Sequence, residues 1–157
     1  QAPERVTRLA LLDTSARPDT PQQTERRQTL IALAESGRFS EVFEHLFPLY
    51  VHRNRHGDET LRRIVRVMAE ETGPDAFVRQ QKAIMSRPDS RPLLASIKCP
   101  TLVLVGDGDE LTPPVLSEEI AAGVAGSRLL VVPDCGHLST LERPEAVNKA
   151  LMDWVAA

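Results

Sequence analysis

Apolar positions along the chain fall into two kinds of run. Three are short and contiguous. They are Val6–Leu12, unbroken from Leu9 to Leu12; Thr101–Val105, entered through Pro100; and Arg128–Val132, closed by Pro133. Runs of this kind, bounded by Pro and Gly, predict strands covered on both faces, the pattern of a parallel sheet. Elsewhere apolar residues recur at helical spacing. Leu116, Ile120 and Val124 stand at i, i+4 and i+8 behind Thr112 as a cap, Pro113 and an acid-loaded first turn, and Gly123 and Gly126 close that helix. Val147, Ala150, Leu151, Trp154 and Val155 trace one face of a last helix that begins at Pro144.

The stretch from about 20 to 90 has no strand pattern. Thr24–Ala34 and Glu41–Leu46 predict helices. Asp58 caps a third, with Leu61, Ile64, Val65 and Met68 on one stripe, and Pro74 opens a fourth that reaches Met85. Ser86–Pro92 is a loop back towards strand. The chain therefore divides into a strand and its connection (1–19), a helical insertion (20–90) and a C-terminal α/β segment (91–157). The predicted class is α/β, with three parallel strands, flanking helices and a helical cap.

Composition changes this picture little. The formal net charge of −3 provides no basic field for nucleic acid, and no apolar run reaches the ~20 residues of a membrane span. Arg53, Arg55, Arg62, Arg63 and Arg66 form a local basic stretch without interleaved aromatics. It reads as a solvated helix face or, alternatively, as a contact for an acidic substrate. Cys99 and Cys135 make no disulfide framework, and with no secretory signal they fit a reduced cytoplasmic setting. His45, His52 and His56 lack metal-ligand spacing. Gln1 is not an initiator Met, so the chain is expected to begin inside a longer product.

The chemistry gathers after the second and third strands, where the loops beyond the carboxyl ends of a parallel sheet build sites. One loop reads GDGDELTPP from Gly106, and the other reads PDCGHL from Pro133. Asp109 and His137 lie one β-α-β repeat apart. If their strands are neighbours, the loops bring a carboxylate to an imidazole. The carboxylate then fixes the ring tautomer and leaves the other nitrogen to take a proton. Asp107 competes for this role or serves the turn; Asp134 shapes a turn, Glu110 is exposed, and Cys135 is a buried bystander. Gly136 is expected to give the backbone a sharp turn before the histidine. Leu46, Phe47, Met68 and Phe77 either line a pocket or pack the cap.

The segment PTLVLVGDGDELTPP, followed by RLLVVPDCGHLSTLERPEAVNKALMDWV, resembles the C-terminal region of α/β hydrolases. A Pro-led strand runs into G-x-x-D (Gly106 to Asp109). A helix and a strand then lead to G-H (Gly136-His137) and to a last helix opened by Glu142-Arg143-Pro144-Glu145. The Val6–Asp13 strand and the helical insertion resemble the family's post-nucleophile strand and cap. The resemblance implies that Asp109 is the triad acid and His137 the base of a serine ester or related acyl hydrolase. It implies a small ester-like substrate and neither metal nor cofactor. The family's nucleophile motif, G-x-S-x-G, frames none of the nine serines. By resemblance it precedes residue 1, so this chain alone is expected to be inactive. Its first strand would expose an unpaired edge that pairs with a second copy or with an N-terminal half. The alternative is a non-catalytic interaction domain that reuses half of the fold.

Overall fold

The computed structural model describes residues 3–156. Gln1, on which the reading of the chain's start rests, lies outside them. Three strands, β1 (Leu9–Leu12), β2 (Thr101–Gly106) and β3 (Arg128–Val132), form one sheet in the order β1-β2-β3. Both pairings are parallel, with Leu9 opposite Thr101 and Leu102 opposite Arg128. The first strand is shorter than its apolar run. Pro3–Arg5 form a turn of 3-10 helix, and Val6 is exposed.

Only β2 is covered on both faces. Its side chains alternate in the way the pleat requires. Leu102 and Leu104 pack with Val147 and Ala150 of the last helix, while Val103 packs with Leu94, Ile120 and Val124 on the opposite face. The uninterrupted apolar pattern of β3 does not mark two covered faces, because Val131 is exposed.

Three α-helices lie between β1 and β2, with short 3-10 turns at Arg53–Arg55 and Arg91–Ser96. The first, α1 (Pro21–Glu35), starts earlier than its pattern suggests. The Thr20 hydroxyl accepts from the Gln23 amide, the Gln23 side chain accepts from the Thr20 amide, and Pro21 opens the first turn. Next is α2 (Phe39–Tyr50), which continues through Pro48. The two helices predicted after Asp58 run together as α3 (Glu59–Met85), broken by Gly73 at φ 72°. The expected Leu61–Ile64–Val65–Met68 stripe narrows to Leu61 and Val65, since Ile64 and Met68 are exposed. Leu61 and Val65 meet Phe43, Phe47 and Val51 of the α2 segment. Leu30, Ile31, Val42, Phe77 and Val78 form a second cluster where α1 and α2 meet the end of α3.

The basic stretch is split: Arg53 and Arg63 are exposed, while Arg55, Arg62 and Arg66 are partly buried and paired within the chain. Arg62 and Arg66 both pair with Glu44, and their guanidinium groups lie over the Phe43 and Phe47 rings. Arg55 pairs with Asp58.

After β2 comes α4 (Pro114–Gly123), and after β3 come a short α5 (Ser139–Glu142) and α6 (Pro144–Ala156). Of the apolar face predicted for α6, Val147 and Ala150 are buried, Leu151 and Trp154 are partly buried, and Val155 is exposed. No described helix is long and apolar enough to cross a membrane.

Candidate active site

Asp109 and His137 come together as their spacing predicts, because β2 and β3 are neighbours and each loop leaves the same end of the sheet. Oδ2 of Asp109 lies 2.8 Å from Nδ1 of His137. The carboxylate is buried and held from three further donors. Oδ1 accepts from the backbone amides of Leu111 and Thr112, each at 2.9 Å, and Oδ2 accepts from the Thr112 hydroxyl at 2.7 Å. Thr112 therefore does not cap α4, whose first turn follows Pro113 without a side-chain cap. Its hydroxyl fixes the acid instead.

These contacts set the proton affinities. Burial raises the Asp109 pKa, but the hydrogen bond and charge of His137 and the donors of Thr112 outweigh it. The carboxyl is held below its ordinary value. Burial disfavours the imidazolium of His137, but the Asp109 bond and charge, then the charges of Asp13 and Glu142, raise the ring above its ordinary value. Tyr50 stacks near the ring, with centroids 6.4 Å apart. Among the described residues Nε2 of His137 has no hydrogen-bond partner, and the ring borders both cavities described below.

The other residues of the two loops are turn and packing elements. Asp107 accepts from the Cys135 amide at 3.1 Å, so the competitor of Asp109 joins the loops rather than facing the histidine. Asp134 takes φ 50°, and Glu110 is exposed. Cys135 is fully buried, and burial followed by the charges of Glu142 and Asp13 pushes its thiol up to about 12, far from a thiolate nucleophile. Gly136 has no positive φ. It is needed because a Cβ would meet the backbone of Val51 and His52 at about 2.5 Å.

Two carboxylates escaped the sequence reading. Asp13, just past β1 at φ 47°, accepts from the Gly106 amide at 3.1 Å and from the Ser139 hydroxyl. Burial raises its pKa from 3.8 to about 6 against those two hydrogen bonds. Glu142 is buried at the end of α5 rather than opening the last helix. It accepts from the amides of Gly136 at 2.9 Å and His52 at 2.8 Å. The residue type alone gives no sign of either role, since Gly106 and Ser139 lie far from Asp13 in the chain and His52 lies far from Glu142.

A cavity of about 450 Å³ opens between the strand-end loops and the faces of α1 and α3. A second, of about 280 Å³, lies inside the cap. His137, Tyr50, Leu46 and Gln80 border both. Of the four apolar candidates, Leu46, Met68 and Phe77 line cavity wall, whereas Phe47 is fully buried in the cap. No cluster of three His, Cys, Asp or Glu side chains among the described residues could hold a metal.

Residues 2–150 match the alpha/beta hydrolase family. The chain belongs to that family. It resembles a thermophilic esterase of Thermogutta terrifontis, with 31% identity, a TM-score of 0.91 and coverage of 99% of this chain and 58% of the esterase. An enol-lactonase of Burkholderia xenovorans aligns with 25% identity, a TM-score of 0.86 and coverage of 98% and 58%. In sequence, a 2-hydroxy-6-oxononadienedioate/2-hydroxy-6-oxononatrienedioate hydrolase of Klebsiella pneumoniae is 29% identical over 160 residues. That alignment covers 98% of this chain and 55% of the relative. The chain thus spans little more than half the length of the proteins it matches.

Proposed function

We propose that this chain supplies the acid and the base of a hydrolase acting on carboxylic esters or related acyl compounds. The observation that supports this reading most is the buried Asp109 carboxylate on Nδ1 of His137, with Nε2 left open to the cavities. In the proposed reaction a serine hydroxyl from outside these residues gives its proton to Nε2 and attacks the acyl carbon. The imidazolium then protonates the leaving alcohol. A water molecule, deprotonated by His137, releases the acid and restores the serine. Asp109 holds the tautomer and stabilises the imidazolium throughout. The esterase and enol-lactonase among the relatives are named for hydrolysis of ester-type bonds, which is consistent with acyl chemistry of this kind.

Among the described residues β1 pairs only with β2, so its other edge is free to accept the nucleophile-bearing half of the fold or a second copy. The chain alone is then inactive, and it works in a reducing, cytoplasmic setting. A sedimentation experiment giving a stable monomer with no affinity for such a half would count against this assembly.

The decisive experiment fuses this chain to the nucleophile-bearing N-terminal part of the Thermogutta terrifontis esterase and measures p-nitrophenyl ester hydrolysis. Activity is expected, and His137→Ala should reduce it by about 10⁴-fold. Full activity in a folded His137→Ala fusion overturns the assignment. A second reading, a non-catalytic interaction domain, is favoured by one observation: no serine of this chain lies in a G-x-S-x-G frame.

A further inference from the structure

The larger cavity is walled by arginine. Gln23, Arg26, Arg27 and Leu30 stand at i, i+3, i+4 and i+7 of α1, so one helix face is turned to the cavity. Gln80 and Ile84 of α3 and Arg87, just past its end, border the same space, and Arg17 comes from the loop after β1. Only two carboxylates share this lining, Asp13 and Asp19. Arg27 is committed to Asp19 at 2.6 Å and to Gln81 at 2.8 Å. Arg17 is committed to Glu119 through two contacts of 2.9 Å. That leaves Arg26 and Arg87, which form no ion pair among the described residues. Arg87 gives one donor to the Arg17 carbonyl at 2.9 Å, which anchors it and leaves its other N–H groups available.

The smaller cavity differs in kind. Phe39, Val42, Phe43, Val65, Met68 and Phe77 line it, with no charged side chain apart from the shared histidine. A ligand reaching His137 therefore has an uncharged apolar chamber on one side and unpaired guanidinium groups on the other.

Resting on the acyl-hydrolase reading above, we infer that the larger cavity is a subsite for a carboxylate on the substrate, bound by Arg26 and Arg87. The substrate class is an acyl compound that carries an anionic carboxylate on one arm and an apolar group on the other, with the scissile carbonyl at His137. Guanidinium groups suit this role because they stay charged and present paired donors to a planar carboxylate. Arg17 and Arg27 do not share it, since their charges are already matched.

Binding tests the subsite without requiring turnover, so its failure is distinguishable from a failure of the acid–base reading. Monoethyl succinate and diethyl succinate are titrated into the chain, and affinity is read from the His137 ring resonances by NMR. The monoester is expected to bind about tenfold more tightly than the diester at low salt, with the preference shrinking as salt rises. Arg26→Gln with Arg87→Gln should abolish the preference. Arg63→Gln, an exposed arginine bordering neither cavity, should leave it intact. Equal binding of the two esters, no binding of the monoester, or an equal loss in Arg63→Gln overturns the proposal. If the double variant does not fold, the monoester preference and its salt dependence in the unmodified chain decide the matter alone.

Discussion

Asp13 accepts the hydroxyl hydrogen of Ser139, so the end of the first strand is tied to the helix that follows the histidine loop, 126 residues later in the chain. The same carboxylate takes the Gly106 amide at the end of β2. One side chain thus ties the ends of β1 and β2 to the start of α5. Burial makes its ionised form costly.

The first prediction concerns that cost. The native pKa of Asp13, about 6, lies above the ordinary 3.8, so the folded state holds the proton more tightly than the unfolded state. Between those values the native state binds more protons, and stability falls as pH rises from about 4 to 6. The loss is on the order of 2 kcal/mol once partial exposure is allowed for. Asp13→Asn keeps an acceptor for Gly106 and should flatten this part of the profile. Urea unfolding at pH 4 and pH 7 measures it; an unchanged slope would show that Asp13 titrates normally.

His137 should titrate above its ordinary value of 6.5. The stabilisation from its charged form is complete below pH 6.5 and disappears as pH rises through the raised native value. Asp109→Asn removes the main opposing charge and leaves burial to dominate, so the ring pKa should fall below that of the parent. NMR titration of the ring protons reads both values. In a catalytically competent assembly, activity should rise with pH along the same limb.

Glu142→Ala should cost about 2–4 kcal/mol, because the amides of Gly136 and His52 lose their common acceptor. Denaturant unfolding measures the loss. Hydrogen exchange at those two amides should quicken more than at β2. A cost under half a kcal/mol would mean that water replaces the carboxylate.

Gly106→Ala should disturb the histidine loop more than the strand itself. The added Cβ would meet the carbonyl oxygens of Cys135 and Gly136 at 2.3 Å, and backbone cannot yield as a side-chain tip does. The expected signature is a displaced His137 resonance together with destabilisation of about 1–3 kcal/mol. Ala at Gly57, which has nothing within 4 Å, should be silent in the same assays.

The parts of this molecule legible in the sequence are those whose causes are local. The TLVLV and RLLVV runs predict β2 and β3 because Pro and Gly bound them, whereas Asp109 is singled out over Asp107 only by the resemblance of G-x-x-D and G-H to the family's loops. The stripe through Ile64 and Met68 misleads because helical spacing identifies a possible face without saying how much of it meets a neighbour. Here α2 covers only Leu61 and Val65. Thr112 looks like a cap, but its hydroxyl finds a carboxylate three residues back. Asp13 and Glu142 stay silent because the backbone groups they serve come from segments up to 93 residues away.

Glu142 joins the cap to the histidine loop through His52 and Gly136, while Leu138 of that loop and Leu141 of α5 pack into the cap's own cluster of Phe43, Phe47 and Val51. The helical insertion is therefore not an interchangeable accessory. A chimaera that exchanges residues 20–90 between family members would set foreign side chains against Leu138 and Leu141, and the backbone amide at position 52 would reach Glu142 only if the new insertion held it in the same place. Recombination should succeed only when the insertion and the segment from Gly136 to Glu142 travel together as an inherited block.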